Sequence, residues 1–200
     1  SKYIFAKIMN TKKDIRNLEQ EELVQFFAGI NIPKFRAKQV YEWLWKKRAV
    51  SFDEMSSLSK ELRKTLDEHF SIQAIRIHKA EKSSDGTIKY SLKLHDNDLV
   101  EGVLIPSKKR LTACVSSQVG CSLSCNFCAT GTLKLERNLT YSEIYDQVYI
   151  LNEEALLNFG KPLSNIVFMG MGEPLLNYDN LLKGIHFITN KEGLEISPKR

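Results

Sequence analysis

No apolar run in this 200-residue sequence approaches the roughly 18 residues that a helix needs to cross a bilayer. The start, Ser1-Lys2-Tyr3-Ile4-Phe5-Ala6-Lys7, is also too short in its apolar part for a secretory signal, so the cytoplasm is the expected compartment. Internal repeats and low-complexity segments are absent. Cysteine is scarce: there are four, and they are not spread along the chain as a secreted disulfide framework would spread them. Three fall within residues 121–128, and the fourth, Cys114, lies seven positions upstream. Clustered thiols without a secretory signal point to metal or redox chemistry.

What is present is ordinary globular material, 42% hydrophobic and 26% charged, enough for one good core or two small ones. The net charge of +5 is bunched at Lys34/Arg36/Lys38, Lys46-Lys47-Arg48, Lys108-Lys109-Arg110 and Lys134/Arg137. A polyanionic partner would explain these clusters, and so would solvated helix faces; charge alone does not choose.

The first seventy residues read as three short amphipathic helices. Asn17 is the predicted N-cap of the first, which carries Leu18, Leu23, Phe26 and Phe27 and closes at Gly29. Phe35, Val40, Tyr41, Leu44 and Trp45 mark the buried face of the second, and Leu58, Leu62, Leu66 and Phe70 that of the third. From about residue 73 the period becomes two. Ile75 and Ile77, then Ile88 to Leu94, then Leu99 to Ile105 predict an antiparallel meander with turns at Ser84-Asp85-Gly86 and His95-Asp96-Asn97-Asp98, stopped by Pro106. A strand at Leu111 to Val115 leads into the cysteine loop. Thr140 and Glu143 form a predicted capping box for a helix through Ile144, Val148 and Leu151. Ile166 to Met169 then reads as a buried strand, and Leu181, Leu182, Ile185 and Ile188 as a further helix. This is an α/β rhythm, and it divides the chain into a helical domain at 1–72, a meander or linker at 73–106 and an α/β core at 107–200. Two βα units cannot close a barrel or cover a parallel sheet, so the sequence is expected to be cut from a longer chain at Arg200.

Cys121, Cys125 and Cys128 place three soft thiolates in one tight loop, a donor set for an iron–sulfur cluster, zinc or copper(I). Three is informative, because structural zinc normally takes four protein ligands and no second ligand pair is present. Cys114 could be a fourth ligand. A three-thiolate cluster instead leaves one iron open. Farther on, Gly170-Met171-Gly172-Glu173-Pro174 is by itself a common turn, but glycines admit close backbone approach and a glutamate can accept hydrogen bonds from an ammonium. The four histidines, 69, 78, 95 and 186, show no ligand spacing, and Trp43 and Trp45 fit a helical core better than a base-stacking platform.

The CxxxCxxC pattern, with Phe127 before its last cysteine, resembles the signature of the radical S-adenosylmethionine (SAM) superfamily, and Gly170–Pro174 resembles that superfamily's GGEP motif. Val100-Glu101-Gly102-Val103-Leu104-Ile105-Pro106, Cys114-Val115-Ser116-Ser117-Gln118-Val119-Gly120-Cys121, Phe127-Cys128-Ala129-Thr130-Gly131 and Arg137-Asn138-Leu139 closely resemble the RlmN/Cfr family of RNA adenosine methyltransferases. Lys134-Leu135 depart from the Gly-Phe of many members. The resemblance implies a radical SAM partial (βα)6 barrel and a 4Fe-4S cluster on Cys121, Cys125 and Cys128. It implies SAM on the cluster's open iron, met at its amino group by Gly172 and Glu173. It further implies methylation of adenine C2 in 23S rRNA and tRNA through a methyl-cysteine and a covalent protein–RNA adduct. Glu101 would accept the adenine proton, and Cys114 would resolve the adduct as redox partner of the methyl-cysteine. An electron donor such as flavodoxin or ferredoxin, a monomeric state and phosphate contacts from the basic clusters follow from the same likeness. A Cfr-like enzyme acting at adenine C8 and conferring antibiotic resistance shares every motif. A zinc-stabilised RNA-binding module without catalysis is the reading from another class.

With three cysteines on a cluster and the fourth resolving, none remains to carry the methyl group. Residues 1–200 supplied with SAM and a reductant are therefore expected not to methylate RNA; turnover by this piece, followed as methyl transfer to RNA, would contradict the assignment.

Overall fold

The computed structural model describes residues 12–197; the start read at Ser1–Lys7 and the last residue, Arg200, lie outside the described residues. The chain forms two compact units that divide after Gln73.

In the first unit, β1 (Lys13–Asp14) pairs in parallel with β2 (Phe70–Ser71), tying the two ends of the unit together. Asp14 caps the 3-10 turn at Ile15–Asn17 and forms a buried ion pair with Arg16 at 3.3 Å. Asn17 is therefore inside that turn, and the cap of α1 (Gln20–Gly29) is Glu19, whose capping box with Glu22 satisfies the orphan amides that Asn17 was expected to serve. α2 (Phe35–Tyr41) runs on into a π-helical turn at Glu42–Lys46. Trp45 is fully buried, whereas Trp43 is half-buried, donates to Ser57 Oγ at 2.8 Å and lies under Lys47 Nζ. α3 (Lys60–His69) starts at Ser59, whose hydroxyl accepts from the Leu62 amide, and buries Leu62 and Leu66.

The second unit is built on a five-stranded mixed sheet in the order β3-β4-β5-β6-β9. Its strands are β3 (Arg76–Lys82), β4 (Ile88–Lys93), β5 (Leu99–Pro106), β6 (Leu111–Cys114) and β9 (Asn165–Val167). The first four are antiparallel neighbours, and β6 pairs with β9 in parallel, so the meander and the α/β rhythm share one sheet. A separate two-residue ribbon, β7 (Gln118–Val119) with β8 (Arg137–Asn138), closes the loop between them.

Period-two patterning sets the faces of this sheet. Ile88, Tyr90 and Leu92 on β4, Val100 and Leu104 on β5 and Leu111 and Ala113 on β6 are buried. α4 (Tyr141–Phe159) covers that face: a Cβ on Gly102 would meet Leu151 Cδ1 at 3.1 Å, so a larger residue there would push helix and sheet apart. α4 has its expected Thr140/Glu143 capping box and ends on Gly160 in the left-handed region, where glycine carries no steric cost. α5 (Tyr178–Thr189) packs on α4, and Gly184 permits the approach, since a Cβ there would lie 2.9 Å from Ile144 Cγ2. β9 departs from the expected buried strand: its three residues are half-buried and Met169 beyond it is 79% exposed. The reason is position, because β9 is the sheet's edge among the described residues. None of the described helices is long and apolar enough to cross a membrane.

Candidate functional site

Because β6 and β9 are parallel, the segments that follow them emerge at the same end of the sheet, where ligand sites of parallel strands form. Residues 115–118 and 167–171 continue the pairing beyond the strands. Val115 N–H donates to Val167 O at 3.0 Å, Gly170 N–H to Val115 O at 3.0 Å and Ser117 N–H to Met171 O at 2.8 Å. A Cβ on Gly170 would sit 2.7 Å from both Val115 O and Ser116 Oγ. Gly172 has φ +93°, and its Cβ would fall 2.5 Å from Gln118 Cβ. Both glycines are therefore dictated by the contact between the cysteine-loop stem and the Gly-Glu loop.

The stem itself is a buried polar segment. Ser116 Oγ donates to Glu101 O at 2.7 Å and accepts from Met171 N–H at 2.9 Å. Gln147 on α4 accepts from Ser116 N–H at 2.8 Å and donates to Ser116 O at 3.0 Å. Asn177 donates to Ser117 O and to Leu139 O, both at 2.8 Å. Each of these polar side chains is buried and partnered, the condition under which burial costs little.

From that stem the loop carries Cys121, Cys125 and Cys128, all half-buried and free of disulfides. Gly120 at φ +73° turns the chain into it; a Cβ there would overlap Lys134 O at 1.9 Å. The Lys134-Leu135 departure thus meets the loop stem through Lys134 backbone, which is indifferent to side-chain identity. Cys128 N–H donates to Cys125 O at 3.0 Å, and Cys121 Sγ accepts from Leu123 N–H at 3.4 Å. Backbone hydrogen bonds from Gly131 and Thr130 lower the Cys128 thiol, favouring the thiolate that a metal needs. Among the described residues, no three His, Cys, Asp or Glu side chains are gathered to hold a metal ion. The loop supplies three free soft donors on one short turn, and that donor chemistry fits an iron–sulfur cluster.

Glu101 and Cys114 come to the same end and the same face. Val103 and Cys114 are direct cross-strand partners, and Glu101 is two residues before Val103, so both side chains point to the face opposite α4. Glu101 is exposed and ion-paired with Lys89 at 3.2 Å. Cys114 is half-buried; burial raises its thiol above the ordinary value, partly offset by the Met169 N–H. Glu173 donates its amide to Gln118 Oε1 at 2.9 Å, and its carboxylate Oε1 accepts from Leu175 N–H at 3.2 Å at the start of the 3-10 turn 174–177.

The return limb of the loop is pinned electrostatically. Arg137 makes a two-armed pair with Glu143 at 2.8 and 2.9 Å and donates to Asp96 at 2.7 Å, so its guanidinium is engaged within the fold. His95 Nδ1 is 3.5 Å from Glu143. Burial alone would raise the Glu143 carboxyl, but hydrogen bonds from His95 and Arg137 together with the Arg137 charge hold it at about 2. The hydrogen bond to Glu143 raises His95. This cluster joins residues 95, 96, 137 and 143, a proximity that sequence spacing does not show. Gln147, one turn beyond Glu143 on the helix, did carry a signal: a polar residue on the stripe marked by Ile144, Val148 and Leu151.

Residues 13–72 match the family described as the ribosomal RNA large subunit methyltransferase N-terminal domain. The chain is 57% identical over 98% of its length to the probable dual-specificity RNA methyltransferase RlmN of Christiangramia forsetii, covering 56% of that protein. It is 44% identical over 96% of its length to the dual-specificity RNA methyltransferase RlmN of Geobacter sulfurreducens, covering 52% of it. A crystal structure of a radical SAM methyltransferase from Sphaerobacter thermophilus superposes with a TM-score of 0.79 at 35% identity, over 94% of this chain and 55% of that one. The chain thus spans about half the length of the curated relatives it matches.

The Glu143 carboxyl has its ordinary value near 4.5 when unfolded and about 2 when folded, so its stabilisation is complete above pH 4.5 and is lost as pH falls toward 2. His95 has the opposite sign: its contribution is present below its ordinary value near 6.5 and fades as pH rises through the raised one. Denaturant titrations are expected to show the acid loss in the unmodified chain. Glu143→Gln should cost on the order of 2 kcal/mol at neutral pH and flatten the loss between pH 4.5 and 2.

Proposed function

We propose that this chain, which carries an RlmN N-terminal domain at 13–72 and is RlmN-like over nearly all its length, forms the cluster- and SAM-binding part of a radical SAM RNA methyltransferase. The observation that carries the reading is convergence. The cysteine loop, Gly172-Glu173, Glu101 and Cys114 lie on four different segments, and all meet at one end of one sheet.

Cys121, Cys125 and Cys128 would hold a 4Fe-4S cluster. Bound there, the cluster supplies the electron that starts radical chemistry on SAM. The residues of the chain do the rest. Glu173 offers a carboxylate beside a loop pressed flat against the stem, suited to an ammonium such as the SAM amino group. Glu101, exposed and facing away from α4, would accept a proton from an adenine carbon. Cys114, whose thiol burial pushes up, would resolve a protein–RNA adduct once a base deprotonates it. The substrate proposed is adenosine in 23S rRNA and tRNA, with modification at C2. The basic clusters are candidate phosphate contacts, and an electron donor such as flavodoxin or ferredoxin would complete the system.

Mass spectrometry of rRNA and tRNA from cells with and without the complete gene tests the reading. C2-methyladenosine dependent on the gene is the expected product, and Glu101→Ala or Cys114→Ala in the complete protein should reduce it at least a hundredfold. A gene-dependent C8 product would replace the site of methylation, and unchanged RNA would contradict the proposal.

A further inference from the structure

Gln118 lies in neither motif, yet it is the side chain that joins them. It is 1% exposed, and both ends of its amide are used. Oε1 accepts from Glu173 N–H at 2.9 Å, and Nε2 donates to Asn138 Oδ1 at 2.8 Å. A backbone amide can only donate, so the Glu173 contact fixes which way the Gln118 amide faces and directs its NH2 at Asn138. Asn138 in turn donates to Leu176 O at 3.3 Å, and the 3-10 turn at 174–177 leads back to Glu173. The circuit runs from the Gly-Glu loop through the stem of the cysteine loop to its return strand, and back to the Gly-Glu loop. Gly172 makes it possible, since any Cβ there would displace the Gln118 stem. The return strand is itself immobilised one residue earlier by the Arg137–Glu143 pair.

We infer that Gln118 is a positioning residue that sets the Glu173 loop at a fixed distance from the cysteine loop, so that one SAM molecule meets both. This rests on the reading of Glu173 as the residue that meets the SAM amino group. Gln118 itself need not touch SAM: it acts by holding the Glu173 amide on one side and the cysteine loop's return strand on the other. Glutamate at this position would keep the acceptor for Glu173 N–H but could not donate to Asn138, whereas alanine would leave the half-buried Glu173 amide without its partner.

The test uses the complete protein, purified anaerobically with its cluster reconstituted, as wild type, Gln118→Ala, Gln118→Glu and Asn138→Ala. Iron content, SAM affinity by equilibrium dialysis and the electron paramagnetic resonance spectrum of the reduced cluster with and without SAM are measured. Gln118→Ala is expected to keep its iron, to bind SAM about tenfold more weakly and to lose most of the SAM-induced spectral change. Gln118→Glu, which keeps the Glu173 contact and loses only the bond to Asn138, should bind SAM about threefold more weakly than wild type, as should Asn138→Ala. Wild-type affinity and spectral change in Gln118→Ala would overturn the inference. If Gln118→Ala does not fold, Asn138→Ala decides from the exposed end of the same bridge: weaker SAM binding with unchanged iron supports the inference, and unchanged binding overturns it. A wild-type protein that takes up neither cluster nor SAM would overturn the functional reading itself.

Discussion

The second unit depends on one constraint: the segment from Val115 to Gln118 is buried away from water, and the polar groups of its backbone and side chains must find partners. The partners come from all sides. β9 and the Gly-Glu loop supply Val167, Met171 and Glu173, α4 supplies Gln147, β5 supplies the Glu101 carbonyl, and the 3-10 turn supplies Asn177. Leaving any one of these groups unpaired would cost about 1–3 kcal/mol, which is why the surrounding segments are locked in relative position. Segments remote in sequence are thereby placed at one end of the sheet.

The organisation of that end explains a contrast in the loop. Its stem is buried and rigid, while its tip is open: Phe127 is 94% exposed and Leu133 50% exposed. A loop with a fixed base and an open tip can present three thiolates without having to form part of the core. The positive-φ glycines 120 and 172 mark places where the Lys134 backbone and the Gln118 side chain, respectively, come too close for a Cβ. They are structural requirements of the stem, independent of any ligand, so the Gly-Glu motif has a packing cause as well as a chemical one.

Much of this was legible in the sequence. The alternation of Ile88, Tyr90 and Leu92, the Thr140/Glu143 capping box and the spacing of Leu62 and Leu66 are local signals, and the structure follows them. Asn17 misled because Glu19 offers a capping box two residues on, with the Asp14-capped 3-10 turn occupying 15–17. Met169 misled because an apolar strand reads as buried whether or not a neighbour covers it. Arg137 reads only as a member of a basic cluster because its partners Asp96 and Glu143 become neighbours through the turn before β5 and the start of α4. Gln118 and Asn138 stand in stretches that carry the family resemblance and Asn177 in none, but their hydrogen-bond circuit has no periodicity; only the folded geometry reveals it.

The central claim is that the cysteine loop exists to hold an iron–sulfur cluster beside the Glu173 loop. Metal and sulfide analysis of the complete protein purified without oxygen tests it most directly. The account predicts a brown protein with about four iron and four sulfide per chain, lost together when Cys121, Cys125 and Cys128 are replaced by alanine. A colourless protein that holds zinc, with neither iron nor sulfide, would contradict it.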